Sequence, residues 1–246
     1  MKSYTLHKGL GWPGILFGLL VFVAAILVFV PLFLRTSPGG DRTKALANAK
    51  SIVGGLLSFK SDYGVYPCDA TRKKMEGDPD QPSPHDPLSL LSTDVLPPGT
   101  SANAYLAQLI ASDHVDTEKI FYAPGVIGAK EGDNIVGSSD KLLEPGENCF
   151  AYIMAKGGDP LTDTRAYTPL VLAPVKARGE SEPIFDGGPY SDKFVMGLVD
   201  GSARTGEISK DGKALLKDGT SLFQTGPDSL FGKDTPVVKY PLFPKP

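Results

Sequence analysis

Apolar and polar positions follow three different rhythms along the chain. From Trp12 to Leu34 the sequence WPGILFGLLVFVAAILVFVPLFL carries no charged side chain. At about 1.5 Å per residue, a helix of that length crosses a hydrocarbon core of roughly 30 Å. This predicts a transmembrane helix over 12–34, with Trp12 at the interface that an indole prefers and a kink near Pro31. A cleaved secretory signal is the competing reading. It fits less well, because the run exceeds a signal core of roughly 7–15 residues and no small-x-small site precedes Arg35. Residues 1–11 form a short tail before the span, and RTSPGG at 35–40 breaks the pattern after it.

The second rhythm begins at Asp41, a good N-cap. Ala45, Ala49, Ile52, Val53, Leu56, Phe59 and Tyr63 recur at spacings of three and four, which predicts a spine helix over 41–63 with one apolar face. Gly54 and Gly55 interrupt it, either to let a sheet pack closely or as a local weak point. Gly64 supplies the left-handed residue that helix ends favour, and Pro67 forces Tyr66 into an extended state. A Pro-rich loop over 77–99 follows, with Leu88, Leu90 and Leu91 as candidate docking residues. A second helix is expected over 101–112, burying Ala102, Tyr105, Leu106, Leu109 and Ile110.

The third rhythm is that of strands, in a β-rich head over 119–246. Ile120–Ala123, Cys149–Ala155, Pro169–Val175, Lys193–Val199 and Ala203–Ile208 are short apolar or alternating runs bounded by turn residues. Asp-Gly pairs at Asp200-Gly201, Asp211-Gly212 and Asp218-Gly219 suit tight antiparallel turns. Helices first and strands later make the soluble domain, residues 41–246, an α+β fold with the spine packed on an antiparallel sheet.

Composition narrows the function. The chain has 246 residues, 41% hydrophobic residues and a net charge of -3, so it holds a core and offers no basic face for nucleic acid. Its 28 Gly and 22 Pro point to extensive loops. No GxSxG, HExxH, P-loop or CxxC spacing occurs, so neither an enzyme nor a cofactor is expected. His114, beside Asp113 and Asp116, reads as a solvated helix end rather than a metal or acid–base site. Glu131–Asn134 and Asp159–Asp163 read as polar turns rather than calcium loops.

The helix end Ser61-Asp62-Tyr63-Gly64-Val65-Tyr66-Pro67, with the apolar leader and the spine before it, resembles type IV pilin-like proteins, above all the pseudopilins of type II secretion in Gram-negative envelopes. Asp62, Gly64, Tyr66 and Pro67 fill the Asp-x-Gly-x-Tyr-Pro pattern that closes the helical spine of major pseudopilins, and FVMGLVDGSART and SLFQTG resemble larger pilin-like proteins. The resemblance implies a non-catalytic, membrane-anchored protein of pilus or secretion-system assembly. Its partners would be membrane lipid through residues 12–34 and other pilin-like or secretion-system subunits. It also implies prepilin processing at Gly11-Trp12. Ile15 and Leu16 stand where the family carries a Glu, and RTSPGG interrupts the spine. These departures favour an alternative, a monomeric anchored module binding glycan or peptide. Either reading places the chain in the inner membrane, single pass, with the C-terminal domain in the periplasm or on the cell surface. Counting Lys2 and Lys8 before the span against Arg35, Arg42, Lys44 and Lys50 after it points the other way. An exported domain favours a Cys68–Cys149 disulfide over two separate buried thiols; a cytosolic one reverses that preference.

Overall fold

The computed structural model describes residues 12, 16–17, 19–23, 37–77, 91, 99–138, 141–162, 165–179, 182–224, 226 and 229–244. The chain divides into two units, Met1–Ser37 and Pro38–Pro246.

In the first unit Trp12, Leu16, Phe17 and 19–23 are helical and exposed. Among the described residues no helix is long and apolar enough to cross a membrane. This overturns the transmembrane helix expected over 12–34 and, with it, the single-pass inner-membrane placement. Crossing roughly 30 Å requires about 20 apolar helical residues, and no described helix meets that requirement. Gly11 and the remainder of 12–34 lie outside the described residues.

The second unit opens with helix α1, Pro38–Tyr63. It starts inside the expected breaker, because Pro38 has the backbone angle of a first helical residue and lacks a donor that would go unused there. Asp41 therefore lies in the first turn, beside the positive helix end, rather than at the N-cap. The expected apolar positions Ala45, Ala49, Ile52, Val53, Leu56 and Phe59 are all buried. Gly64 ends the helix with φ +82°, and its N–H donates to the Lys60 carbonyl at 2.9 Å. Helix α2, Asp69–Gly77, had no expectation behind it, being mostly polar; among its described side chains Thr71, Arg72 and Met75 are buried. Of the Pro-rich loop, Gly77, Leu91 and Gly99 are described, Leu91 being buried; Leu88 and Leu90 lie outside the described residues. Helix α3, Ala102–Ala111, matches its expected span and is buried throughout; Ser101 caps it, its side chain accepting from the Ala104 N–H.

The strands are β1 Ala151–Ala155, β2 Pro169–Ala173, β3 Val175–Arg178, β4 Pro183–Phe185, β5 Lys193–Leu198, β6 Ala203–Ile208, β7 Ala214–Leu215 and β8 Pro236–Lys239. Six of them form one antiparallel sheet in the order β7-β6-β5-β2-β1-β8, and β3 pairs with β4 apart from it. The Asp-Gly pairs turn as expected, with Gly201, Gly212 and Gly219 at φ +80°, +78° and +83°. The run expected as a strand at Ile120–Ala123 instead contributes to a 3-10 turn, Glu118–Phe121. Thr117 caps that turn, its hydroxyl accepting from the Lys119 N–H at 3.3 Å.

Helix α1 lies across β5, β2 and β6. The glycine that admits it is on the sheet: a Cβ at Gly197 would stand 2.5 Å from Val53 Cγ2 and 3.0 Å from the Ala49 carbonyl oxygen. The helix glycines serve differently. Gly55 meets Val115 of the segment after α3, where a Cβ would stand 2.7 Å from Cγ2, while a Cβ at Gly54 would meet nothing within 4 Å. Asn48 fastens the middle of α1 by donating to the carbonyls of Tyr122 (2.7 Å) and Lys119 (3.3 Å).

Candidate functional site

The helix-end residues singled out in the sequence form a junction. Tyr66 is buried, with Lys60 Nζ 4.5 Å from its ring centre. The Pro67 carbonyl accepts from the Tyr152 hydroxyl at 3.0 Å, which ties the end of α1 to β1. Tyr63 stacks on Phe59 with ring centres 4.3 Å apart. Asp62 reaches His114: its Oδ2 is 3.0 Å from Nε2. His114 Nδ1 is 2.7 Å from Ser112 Oγ, whose hydroxyl donates to the Gln108 carbonyl at 2.6 Å. Instead of standing in solvent, His114 keeps only 8% of its side chain exposed. Serine, histidine and carboxylate follow one another as in a hydrolytic triad. The Ser112 hydroxyl lies within hydrogen-bonding distance of the Gln108 carbonyl as well as of His114, so the row links the C-terminal ends of α1 and α3.

The two cysteines are free thiols, both buried, and the expected Cys68–Cys149 bridge is not formed. Each sulfur has its own surroundings: Cys68 Sγ lies 3.7 Å from Thr71 Oγ1, and Cys149 Sγ lies 3.6 Å from the Gly146 carbonyl. A bridge demands Cα atoms within roughly 7 Å and converging Cβ bonds, and sequence separation carries no information on either. Burial pushes the Cys149 thiol up to about 12, so it holds no reactive thiolate near neutrality.

A groove of about 690 Å³ lies on the sheet face turned away from α1. Its wall includes Met196, Leu198, Leu215 and Leu230. Tyr167, 54% exposed, stands at its edge with the Arg204 guanidinium 4.7 Å from its ring centre. Arg204 also faces Asp200 at 3.8 Å. An apolar wall with a few oriented polar groups is the ordinary build of a ligand site.

The chain matches no family model, no curated protein and no solved structure.

A separate cluster brings together Glu118, Asp133 and Glu147, each offering an oxygen within 4.8 Å of the others. Glu118 begins the 3-10 turn, Asp133 belongs to the segment read as a polar turn, and Glu147 precedes β1. Burial pushes Glu118 up to about 7 against the opposing pull of the Leu143 and Asn134 N–H groups, and burial likewise raises Glu147. Only the segment containing Asp133 had drawn attention in the sequence. Glu118 and Glu147 stand 29 positions apart, and no local pattern joins them.

Proposed function

We propose that this protein is a non-catalytic, pilin-like domain whose role is assembly: it presents its α1-braced sheet to other protein subunits. The observation carrying this reading is the seating of α1 on the sheet through Gly197, with the Asp62–Pro67 helix end locked against β1 and His114. Such a stalk-and-sheet body leaves the outward side of α1 exposed along Thr43, Ala47, Lys50, Ser51, Gly54 and Ser58. Lys50 apart, these are small side chains that permit close approach by a second helix.

A second reading, a monomeric module for glycan or peptide, is favoured by the groove on the opposite face. An exposed tyrosine beside a guanidinium offers both a stacking surface and donors. Sedimentation velocity of the purified full chain over a wide concentration range, followed by negative-stain microscopy, separates the two. Ordered oligomers or filaments support assembly. A persistent monomer that binds oligosaccharides or peptides, and loses them in Tyr167→Ala, supports the second reading and sinks the first. Turnover of an ester, peptide or glycoside would sink both.

A further inference from the structure

The groove on the sheet face away from α1 spans β5, β6 and β7, two inter-strand steps or roughly 10 Å. Beside its apolar wall it carries one exposed ring and an excess of cations. Tyr167 stands at the edge with the Arg204 guanidinium 4.7 Å from its ring centre. Lys193, Arg204 and Lys217 border the groove against two acids, Glu207 and Asp218. Both acids are engaged. Glu207 lies 4.0 Å from Lys193, and Asp218 accepts from the Thr220 N–H at 3.0 Å and from the Thr220 hydroxyl at 2.7 Å. Lys217 is exposed and makes no ion pair among the described residues. A ligand matching this surface is acidic and lays flat apolar rings on the tyrosine.

Residues 78–90, DPDQPSPHDPLSL, have that chemistry. They lie outside the described residues, and their sequence holds three Asp, four Pro and neither Lys nor Arg. Pro79-x-x-Pro82 and Pro84-x-x-Pro87 repeat at the three-residue turn of a polyproline II helix, the form in which Pro-rich ligands enter aromatic-lined grooves. At about 3.1 Å per residue each repeat covers roughly 9 Å, the span of the three strands. We propose that the 79–87 segment of one copy docks in the β5–β7 groove of a neighbouring copy, with proline on Tyr167 and aspartate toward Arg204 and Lys217. This rests on the assembly role proposed above and supplies its contact. The partner is a second copy because the segment leaves and returns on the other side of the sheet. Its first end follows α2, and at its far end the Leu91 carbonyl accepts from the Arg72 guanidinium. Gln108 of α3 holds the start of α2: its Nε2 donates to the Cys68 carbonyl at 3.1 Å, and its Oε1 lies 2.7 Å from Thr71 Oγ1. Tyr105 of α3 packs on Tyr152 of β1 with ring centres 5.9 Å apart, and Tyr152 pairs with Val171 on the α1 face. Each copy thus offers a segment on one side and a groove on the other, a heterologous contact that propagates head to tail.

The test mixes two full-length variants in sedimentation velocity. The groove variant combines Tyr167→Ala with Lys217→Glu, both exposed positions, so the fold is retained. The segment variant combines Pro79→Ala, Pro82→Ala, Pro84→Ala and Pro87→Ala. The unmodified chain is expected to associate with rising concentration, and each variant alone to lose at least about tenfold in association constant, as removal of a tyrosine anchor does. Mixed together, the two variants form a 1:1 complex that grows no further, since one keeps the segment and the other the groove. A labelled synthetic peptide of residues 77–91 binds the segment variant, more weakly as salt is raised, and fails to bind the groove variant. Oligomers that both variants retain leave the assembly role standing and overturn this contact. It is also overturned if mixing gives no 1:1 complex, or if the groove variant binds the peptide as well as the segment variant does. An unmodified chain that stays monomeric at every concentration overturns the contact and the assembly role together.

Discussion

The two faces of the six-stranded sheet are built from alternate residues of the same strands, yet they end in opposite states. On one face Gly197 lies against Val53 and the Ala49 carbonyl of α1, with its β2 partner Val171 beside it. On the other, Met196, Leu198 and Arg204 border a groove of about 690 Å³. The groove side also carries Lys193, Arg204, Glu207, Lys217 and Asp218. On the other side a glycine in β5 removes the obstacle that would hold α1 away.

Mutations can break or sharpen this contrast. The largest expected effect is from Phe59→Ala, which empties a fully buried site on α1 and should cost about 3–5 kcal/mol in urea unfolding. Next is Gly197→Val. Its new side chain meets Val53, Val171 and the Ala49 carbonyl, and should cost about 1–3 kcal/mol through overpacking, lowering the urea midpoint. The paired helix glycines should then diverge. Gly54→Ala, whose Cβ meets open space, should raise stability by up to about 1 kcal/mol. Gly55→Ala should lose that gain, because Val115 must shift. On the groove side, Tyr167→Ala should move the midpoint by no more than about 0.5 kcal/mol, as surface changes do. A larger loss there would mean that the groove face carries the fold.

The same contrast marks how far the residues could be read in order. The spine positions Ala45 to Phe59, the stop at Gly64 and the β5–β6 hairpin at Asp200-Gly201 were legible because periodicity and turn chemistry act within a few residues. Strand neighbours were not. That β1 sits between β2 and β8 depends on contacts separated by tens of residues, and Pro236–Lys239 has no alternation to announce it. Ile120–Ala123 was too short an apolar run to choose between strand and 3-10 turn, and Thr117 decided it by capping the turn.

For the candidate sites the division is sharper. The sequence by itself determined the Asp62–Pro67 helix end, because glycine and proline restrict their own backbone wherever they stand. It also carried the oxygen-rich segment around Asp133. Tertiary structure alone decided that Asp62 would meet His114, that Asp133 would meet two buried glutamates, and that the two thiols would lie in separate surroundings. Among the described residues no helix is long and apolar enough to cross a membrane, which corrects the span expected over 12–34. Local rules limit what each residue's backbone can do; which side chains converge is set by packing over long separations, where many pairings satisfy the same local rules and only their mutual fit distinguishes them.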